Sequence, residues 1–258
     1  MKSILSRNNP IGFFDSGVGG LSVMKKTIEL LPHENYIYYG DSKNAPYGVK
    51  TVDEVKKLSF KAVEFLLEKG AKAIVIACNT ATAAAVEDIR KGYADIPIIG
   101  IEPALKPAIE LNKNGDILIM ATPMTLNEKK FAKLMSRYKE KKSIIPLPCA
   151  GLVEFIESGV LEGEELRKFL SEKLQGHNYK NTSSIVLGCT HYPFVRNEIQ
   201  SIVGHEVNII DGSLGTAKEL KRRLKENNIL NEKKEKGNIE IYNSKSEVVE
   251  LSYKLINL

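Results

Sequence analysis

Two segments of this 258-residue chain carry the same seven-residue pattern, and few architectures accommodate that. Ile74-Val-Ile-Ala-Cys-Asn-Thr80 aligns without gaps on Ile185-Val-Leu-Gly-Cys-Thr-His191, an offset of 111 residues. A weaker echo pairs Ile11-Gly-Phe-Phe-Asp-Ser16 with Ile117-Leu-Ile-Met-Ala-Thr122, an offset of 106. Each copy of the stronger pair is a short apolar run, a small residue, a cysteine, then hydrogen-bonding residues. Repeats this long and this few do not build a solenoid. They imply two similar units, each presenting a cysteine where a strand ends.

The rest of the chain alternates in the same way. Ile11–Phe14, Tyr36–Tyr39, Ala73–Ala77, Ile98–Ile101, Ile117–Met120, Ile185–Leu187 and Val207–Ile210 are short apolar runs, with helical periodicities between them. The clearest helix spans Val52–Lys69, with Thr51 and Glu54 in a capping-box pattern and Gly70 as its stop. Buried strands without alternation, joined by helices, indicate mainly parallel sheets covered on both faces. We therefore expect an α/β fold of two pseudo-symmetric units with a cleft between them. Residues 1–99 together with 210–258 would form the first unit, and 100–209 the second. The lysine-rich stretch Asn227–Asn238 reads as an exposed loop. Ligands of such sheets bind beyond the carboxyl ends of the strands, so chemistry belongs in the residues after each run.

Composition narrows the function. The net charge is +5, concentrated in Glu128–Lys142 (seven Lys/Arg against two Glu) and Lys218–Lys236 (eight against four). Without aromatics interleaved in a stacking pattern or a recognition motif, these read as solvated helix faces, and no nucleic-acid partner is expected. No apolar run has membrane-spanning length, and the polar start Met1–Pro10 is unlike a signal peptide. Three cysteines without a C-x-x-C motif fit a reducing cytoplasm.

Two opposed cysteines allow three chemistries. One thiolate can act as a covalent nucleophile with His191 as its base. The pair can exchange disulfide electrons. Or one thiolate can take a proton from one face of a carbon while the other thiol returns one to the opposite face. Only the last uses the duplication. A helix N-terminus after Cys78 or Cys189 would favour the thiolate. Cys149, in Leu147-Pro-Cys-Ala150, reads as a core filler.

Asp15-Ser-Gly-Val-Gly-Gly20 follows the first strand and partly matches a dinucleotide fingerprint, with Asp41 ending the second strand. The third glycine position is Ser22, however, and Asp15 would oppose a pyrophosphate. An amine- and carboxylate-binding corner fits better, with Asp15 for an ammonium and Ser16 for an anion. His33, His177 and His205 lie in polar stretches, so no metal site is expected.

Asp15-Ser-Gly-Val-Gly-Gly-Leu-Ser22, Tyr39-Gly-Asp-Ser42 with Pro46-Tyr-Gly48, Ala77-Cys-Asn-Thr80 and Gly188-Cys-Thr-His-Tyr-Pro193 occur in that order. Together they resemble glutamate racemases of the aspartate/glutamate racemase superfamily, from about Ile11 to Leu224. The resemblance implies an isomerase, without cofactor or metal, that interconverts L- and D-glutamate and supplies D-glutamate for peptidoglycan. It implies that Cys78 deprotonates D-glutamate and Cys189 L-glutamate, assisted by Asp15 and His191, with Glu154 as a further carboxylate. Substrate contacts carry over to Asp15, Ser16, Tyr47, Gly48, Asn79, Thr80, Thr190 and His191. His191 stands where related aspartate racemases tend to carry Glu, which favours glutamate over aspartate or another amino acid. The resemblance also implies a cytoplasmic homodimer. Outside enzymes, a two-lobed amino-acid-binding module is the rival.

Overall fold

The computed structural model describes residues 6–111, 114–127, 135–136, 138 and 143–258. The basic segment Glu128–Lys142 lies almost wholly outside them. The elements run β1 (Ile11–Asp15), α1 (Leu21–Leu30), β2 (Tyr36–Gly40), α2 (Val52–Glu68), β3 (Ala73–Ile76), α3 (Asn79–Gly92), β4 (Ile98–Gly100) and α4 (Leu105–Glu110). They continue with β5 (Asp116–Ala121), α5 (Pro123–Asn127), β6 (Ile144–Pro148), α6 (Leu152–Glu157), α7 (Glu164–Leu174) and β7 (Thr182–Leu187). The chain ends with α8 (Arg196–Val203), β8 (Asn208–Asp211), α9 (Ser213–Glu226), β9 (Ile239–Asn243) and α10 (Val248–Asn257).

The strands form two parallel sheets. One has the order β4-β3-β1-β2-β9, and the other, read from its β8 edge, β8-β7-β5-β6. The second sheet thus repeats the first four strands of the first in the same spatial order, and the Cys78 and Cys189 segments follow corresponding strands. The added strand, β9, pairs in parallel with β2, from Tyr36↔Ile239 to Gly40↔Asn243, so the end of the chain returns to the first sheet.

Alternation along the strands explains how both faces are buried. Ile11, Phe13, Val75 and Tyr38 enter one apolar cluster, while Phe14, Ile74, Ile76 and Ile37 enter another on the opposite face. The first cluster runs on into Leu118, Met120, Ile185 and Leu187 of the second sheet. The two units therefore share a continuous core. In α2, the Thr51 hydroxyl accepts from the Glu54 amide and the Glu54 carboxylate accepts from the Thr51 amide, completing the capping box.

Two strands, β6 and β9, are absent from the sequence expectation. Both are edge strands, where one side of the backbone needs no partner. Pro146 and Pro148 are tolerated in β6 for that reason. The basic helix α9 buries Ala217, Leu220 and Leu224, and its Arg222 pairs with Glu219 and Glu226 of the same helix. Among the described residues, no helix is long and apolar enough to cross a membrane.

Candidate active site

The carboxyl ends of β1, β3 and β7 bring the two repeat copies together. Cys78 is the N-cap of α3, and its Sγ accepts from the Ala81 amide at 3.4 Å. The same sulfur lies 3.5 Å from Ser16 Oγ, just beyond β1. Cys189 is followed by a 3-10 turn, Tyr192–Val195, instead of an α-helix, and its Sγ lies 3.7 Å from His191 Nδ1. Both thiols are free and buried.

Burial dominates the electrostatics of the first cysteine. Burial, aided by the charge of Asp15, pushes the Cys78 thiol up to about 12 despite the Ala81 amide. The expectation that a helix N-terminus would favour the thiolate thus fails for Cys78. One amide donor does not replace the lost hydration. A charge on Cys189 opposes ionisation of Cys78 further, which places both sulfurs in one electrostatic environment.

His191 links the second cysteine to a carboxylate. Its Nε2 lies 2.6 Å from Glu157 Oε1, and that oxygen also accepts from the Val18 amide at 2.7 Å. Glu157 Oε2 accepts from the Ser42 hydroxyl at 3.0 Å. Burial works to lower the affinity of His191 for its proton. The hydrogen bonds to Cys189 and Glu157 outweigh it and hold the imidazole well above its ordinary pKa. Burial likewise works to raise Glu157, but His191, the Val18 amide and Ser42 together hold it below its ordinary value. Both directions favour an imidazolium against a carboxylate.

The glycine-rich loop serves these side chains. A Cβ on Gly17 would stand 1.8 Å from Glu157 Oε1, and one on Gly19 would stand 2.3 Å from His191 Nδ1. Glycine is required there so that backbone can approach the second unit's acid and imidazole. Asp15 Oδ1 accepts from the Gly17 amide at 2.8 Å, and Oδ2 accepts from the Thr190 hydroxyl at 2.9 Å. Burial raises the Asp15 carboxyl, opposed chiefly by the charge of His191.

The remaining sequence-derived residues fall around this centre. Asn79 Oδ1 is buried without a hydrogen-bond partner. The Tyr47 hydroxyl donates to Asp41 Oδ2 at 2.8 Å, and a Cβ on Gly48 would meet Thr122. Thr80 joins Thr122 and Thr125 in a triangle of hydroxyls at 3.2, 3.3 and 3.0 Å. Among the described residues, no group of His, Cys, Asp or Glu has the makings of a metal site.

Glu154 is the exception: it is exposed on α6, and the carboxylate that reaches His191 is Glu157, one turn later. Leu152, Val153 and Ile156 are the buried face of α6. At about 100° per residue, Glu154 stands roughly 150° from that face's centre and Glu157 only about 90°. That helical phase was a usable signal. Thr122 had its alignment with Ser16 in the weaker repeat, and Ser42 its place in the Tyr39–Ser42 motif, whereas Thr125 had no comparable signal.

The sequence profile of the Asp/Glu/hydantoin racemase family matches residues 11–220. A glutamate racemase of Clostridium perfringens is 63% identical over 254 residues, covering 98% of both chains. One from Clostridium novyi is 60% identical over 252 residues, covering 96% of this chain and 97% of that one. Among solved structures, the Francisella tularensis glutamate racemase in complex with D-glutamate superposes with a TM-score of 0.83. It is 31% identical and covers 98% of this chain and 95% of its own. A Bacillus anthracis glutamate racemase gives a TM-score of 0.86 at 29% identity, with the same coverage of 98% and 95%.

Proposed function

The chain belongs to the Asp/Glu/hydantoin racemase family, and on that premise we propose that it interconverts L- and D-glutamate by two-base proton transfer between Cys78 and Cys189. One observation carries this reading. Two thiols follow corresponding strands of two matching sheets, and the charge of one acts on the other. That arrangement supplies a proton acceptor on one face of a carbon and a donor on the other. The names of the relatives at 63% and 60% identity support glutamate as the substrate over aspartate.

The surroundings fit an amino acid. Asn79 Oδ1, a buried acceptor without a donor, and the Asp15 carboxylate suit the ammonium. The hydroxyls of Thr80, Thr122 and Thr125 suit a carboxylate. The α-proton of an amino acid is very weakly acidic, so the site must stabilise carbanionic character with fixed donors in a dry environment. Asp15, Cys78, Cys189 and His191 are all less than a tenth exposed.

Burial favours the protonated form of Cys78, and the sulfur of Cys189 lies 3.7 Å from His191 Nδ1. With L-glutamate, the Cys189 thiolate takes the α-proton, the carbon gains a proton from Cys78, and D-glutamate leaves with the protonation of the two sulfurs exchanged. D-Glutamate runs the same steps backward. The units, 1–99 with 210–258 and 100–209, would enclose the substrate between them. The product would feed peptidoglycan assembly, and the enzyme would work in the cytoplasm as a homodimer.

The deciding experiment is circular dichroism of pure L- and D-glutamate with the protein and no added cofactor. Both solutions should lose their signal. In deuterium oxide, the label should appear first in the product enantiomer. Early exchange into recovered substrate, or racemisation of aspartate in preference to glutamate, would overturn the proposal.

A further inference from the structure

We infer that Ser42 and Asn243 are positioning residues for the Cys189 half of the site, acting through Glu157 and His191. The inference rests on the reading of Cys189 as an acid–base group. Asn243 Nδ2 donates to Ser42 Oγ at 3.0 Å, and Ser42 Oγ donates to Glu157 Oε2 at 3.0 Å. Glu157 Oε1 meets His191 Nε2 at 2.6 Å, and His191 Nδ1 faces Cys189 Sγ at 3.7 Å. Four side chains thus stand in series behind the sulfur, and every link is shown.

The direction of the series is set at its far end. Asn243 Oδ1 accepts from the Lys245 amide at 2.9 Å, so the amide group points its NH2 at Ser42. Ser42 Oγ, receiving that bond, turns its own hydrogen to Glu157. The end of β9 also grips the surrounding turn. The Ser244 amide donates to Gly40 O at 2.9 Å, and the Ser244 hydroxyl accepts from the Lys43 amide at 2.8 Å. Ser42 is itself buried, which keeps competing water from its hydroxyl.

The series crosses between the two sheet units. Ser42, Asn243 and the Val18 amide belong with the first sheet, and Glu157, His191 and Cys189 with the second. The last strand, which has no counterpart in the second sheet, therefore supplies a group that supports the other unit's catalytic end. Ser42 and His191 bind opposite oxygens of Glu157, so removing the Ser42 donor frees the carboxylate to rotate away from the imidazole, a loss of orientation that outweighs its gain in basicity. His191 is also faced by Asp15 and Cys189, and Glu157 by Tyr38, so the imidazole keeps other neighbours when Ser42 is lost.

The test compares Ser42→Ala, Ser42→Thr, Asn243→Ala and the double Ala variant in the full chain, with folding checked by thermal melts. For Ser42→Ala, kcat should fall roughly tenfold in both directions while KM changes less than about twofold, the lower end for outer partners of a reacting group. Ser42→Thr should restore most of the loss. Asn243→Ala should cost roughly threefold alone and nothing further in the Ser42→Ala background, because it acts through that hydroxyl. In the ligand-free protein, the 15N signals of His191 should titrate at lower pH in Ser42→Ala than in wild type. Additive losses in the double variant overturn the inference, as do an unchanged kcat and an unmoved His191 titration. Should Ser42→Ala not fold, Asn243→Ala with the same His191 readout decides the question. A wild-type protein that does not racemise glutamate, yet shows the His191 shift, breaks the functional reading and leaves the positioning inference standing.

Discussion

Cys78 and Cys189 end corresponding strands of two sheets with the same strand order, but their neighbours differ in kind. Cys78 caps a 14-residue helix and has a serine, a backbone amide and the Asp15 carboxylate around it. Cys189 leads into a 3-10 turn and has an imidazole backed by a carboxylate. The difference extends to the neighbouring strands. The Asp41 amide donates to Asp15 O, and the corresponding Cys149 amide donates to Ala121 O. Where the first unit carries two acids at its strand ends, the second has Ala121 and Cys149, and its carboxylate comes from helix α6. Duplication sets where each sulfur stands, and the residues packed against it differ between the two copies.

The largest test removes the common element. Cys78→Ala and Cys189→Ala should each lower racemisation at least about a thousandfold in both directions, since the proposed two-base turnover uses both sulfurs. A variant retaining near-normal turnover would end the two-base comparison.

Breaking the difference between the sites is the next step down. Asp15→Asn and His191→Asn should each lower kcat by roughly a hundredfold. Deuterium at the α-carbon should then slow the L direction more in His191→Asn and the D direction more in Asp15→Asn. Equal isotope effects in both variants would erase the assignment of each assistant to its cysteine.

A smaller effect separates the two carboxylates of α6. Glu157→Gln should lower kcat about tenfold, and Glu154→Gln several times less. The same pair shapes stability. The Glu157 carboxyl lies below its ordinary 4.5, so its contribution is present above about pH 4.5 and lost as pH falls through its folded value. His191 lies well above its ordinary 6.5, so its contribution is full below about pH 6.5 and lost as pH rises through its folded value. Melting temperatures across pH should decline on both sides of that window, and Glu157→Gln should shrink the decline on each side.

The smallest effect belongs to the third cysteine. Cys149 is buried, and its Sγ donates to the carbonyl of Leu147. Cys149→Ala should cost about 1 kcal/mol in a denaturant melt and change kcat less than about twofold.

Much of this was legible in advance because the signal was local. The seven apolar runs became strands β1–β5, β7 and β8, since strands of parallel sheets covered on both faces carry continuous apolar residues. The edge strands β4 and β8 keep that pattern, whereas β6 carries two prolines and β9 a glutamate and an asparagine, which an edge tolerates. The matched cysteines, Asp15, Thr190 and His191 stand next to strand ends in the sequence itself, and they meet in the fold. The resemblance points to Glu154, whereas the phase of the apolar residues in α6 sets Glu157 nearer the buried face, and Glu157 is the carboxylate that meets His191.

The sequence alone therefore determined the parallel α/β architecture, the duplication and the two sulfurs, all carried by short-range patterns of residue type. Only the tertiary structure decided the partners: Glu157 against His191, Asp15 against Thr190, and Asn243 behind Ser42, 201 residues apart in the chain. Those pairings depend on how two sheets face each other and where the last strand returns. Hydrogen bonds and proton affinities are fixed by such distances and by burial, and no local pattern encodes them.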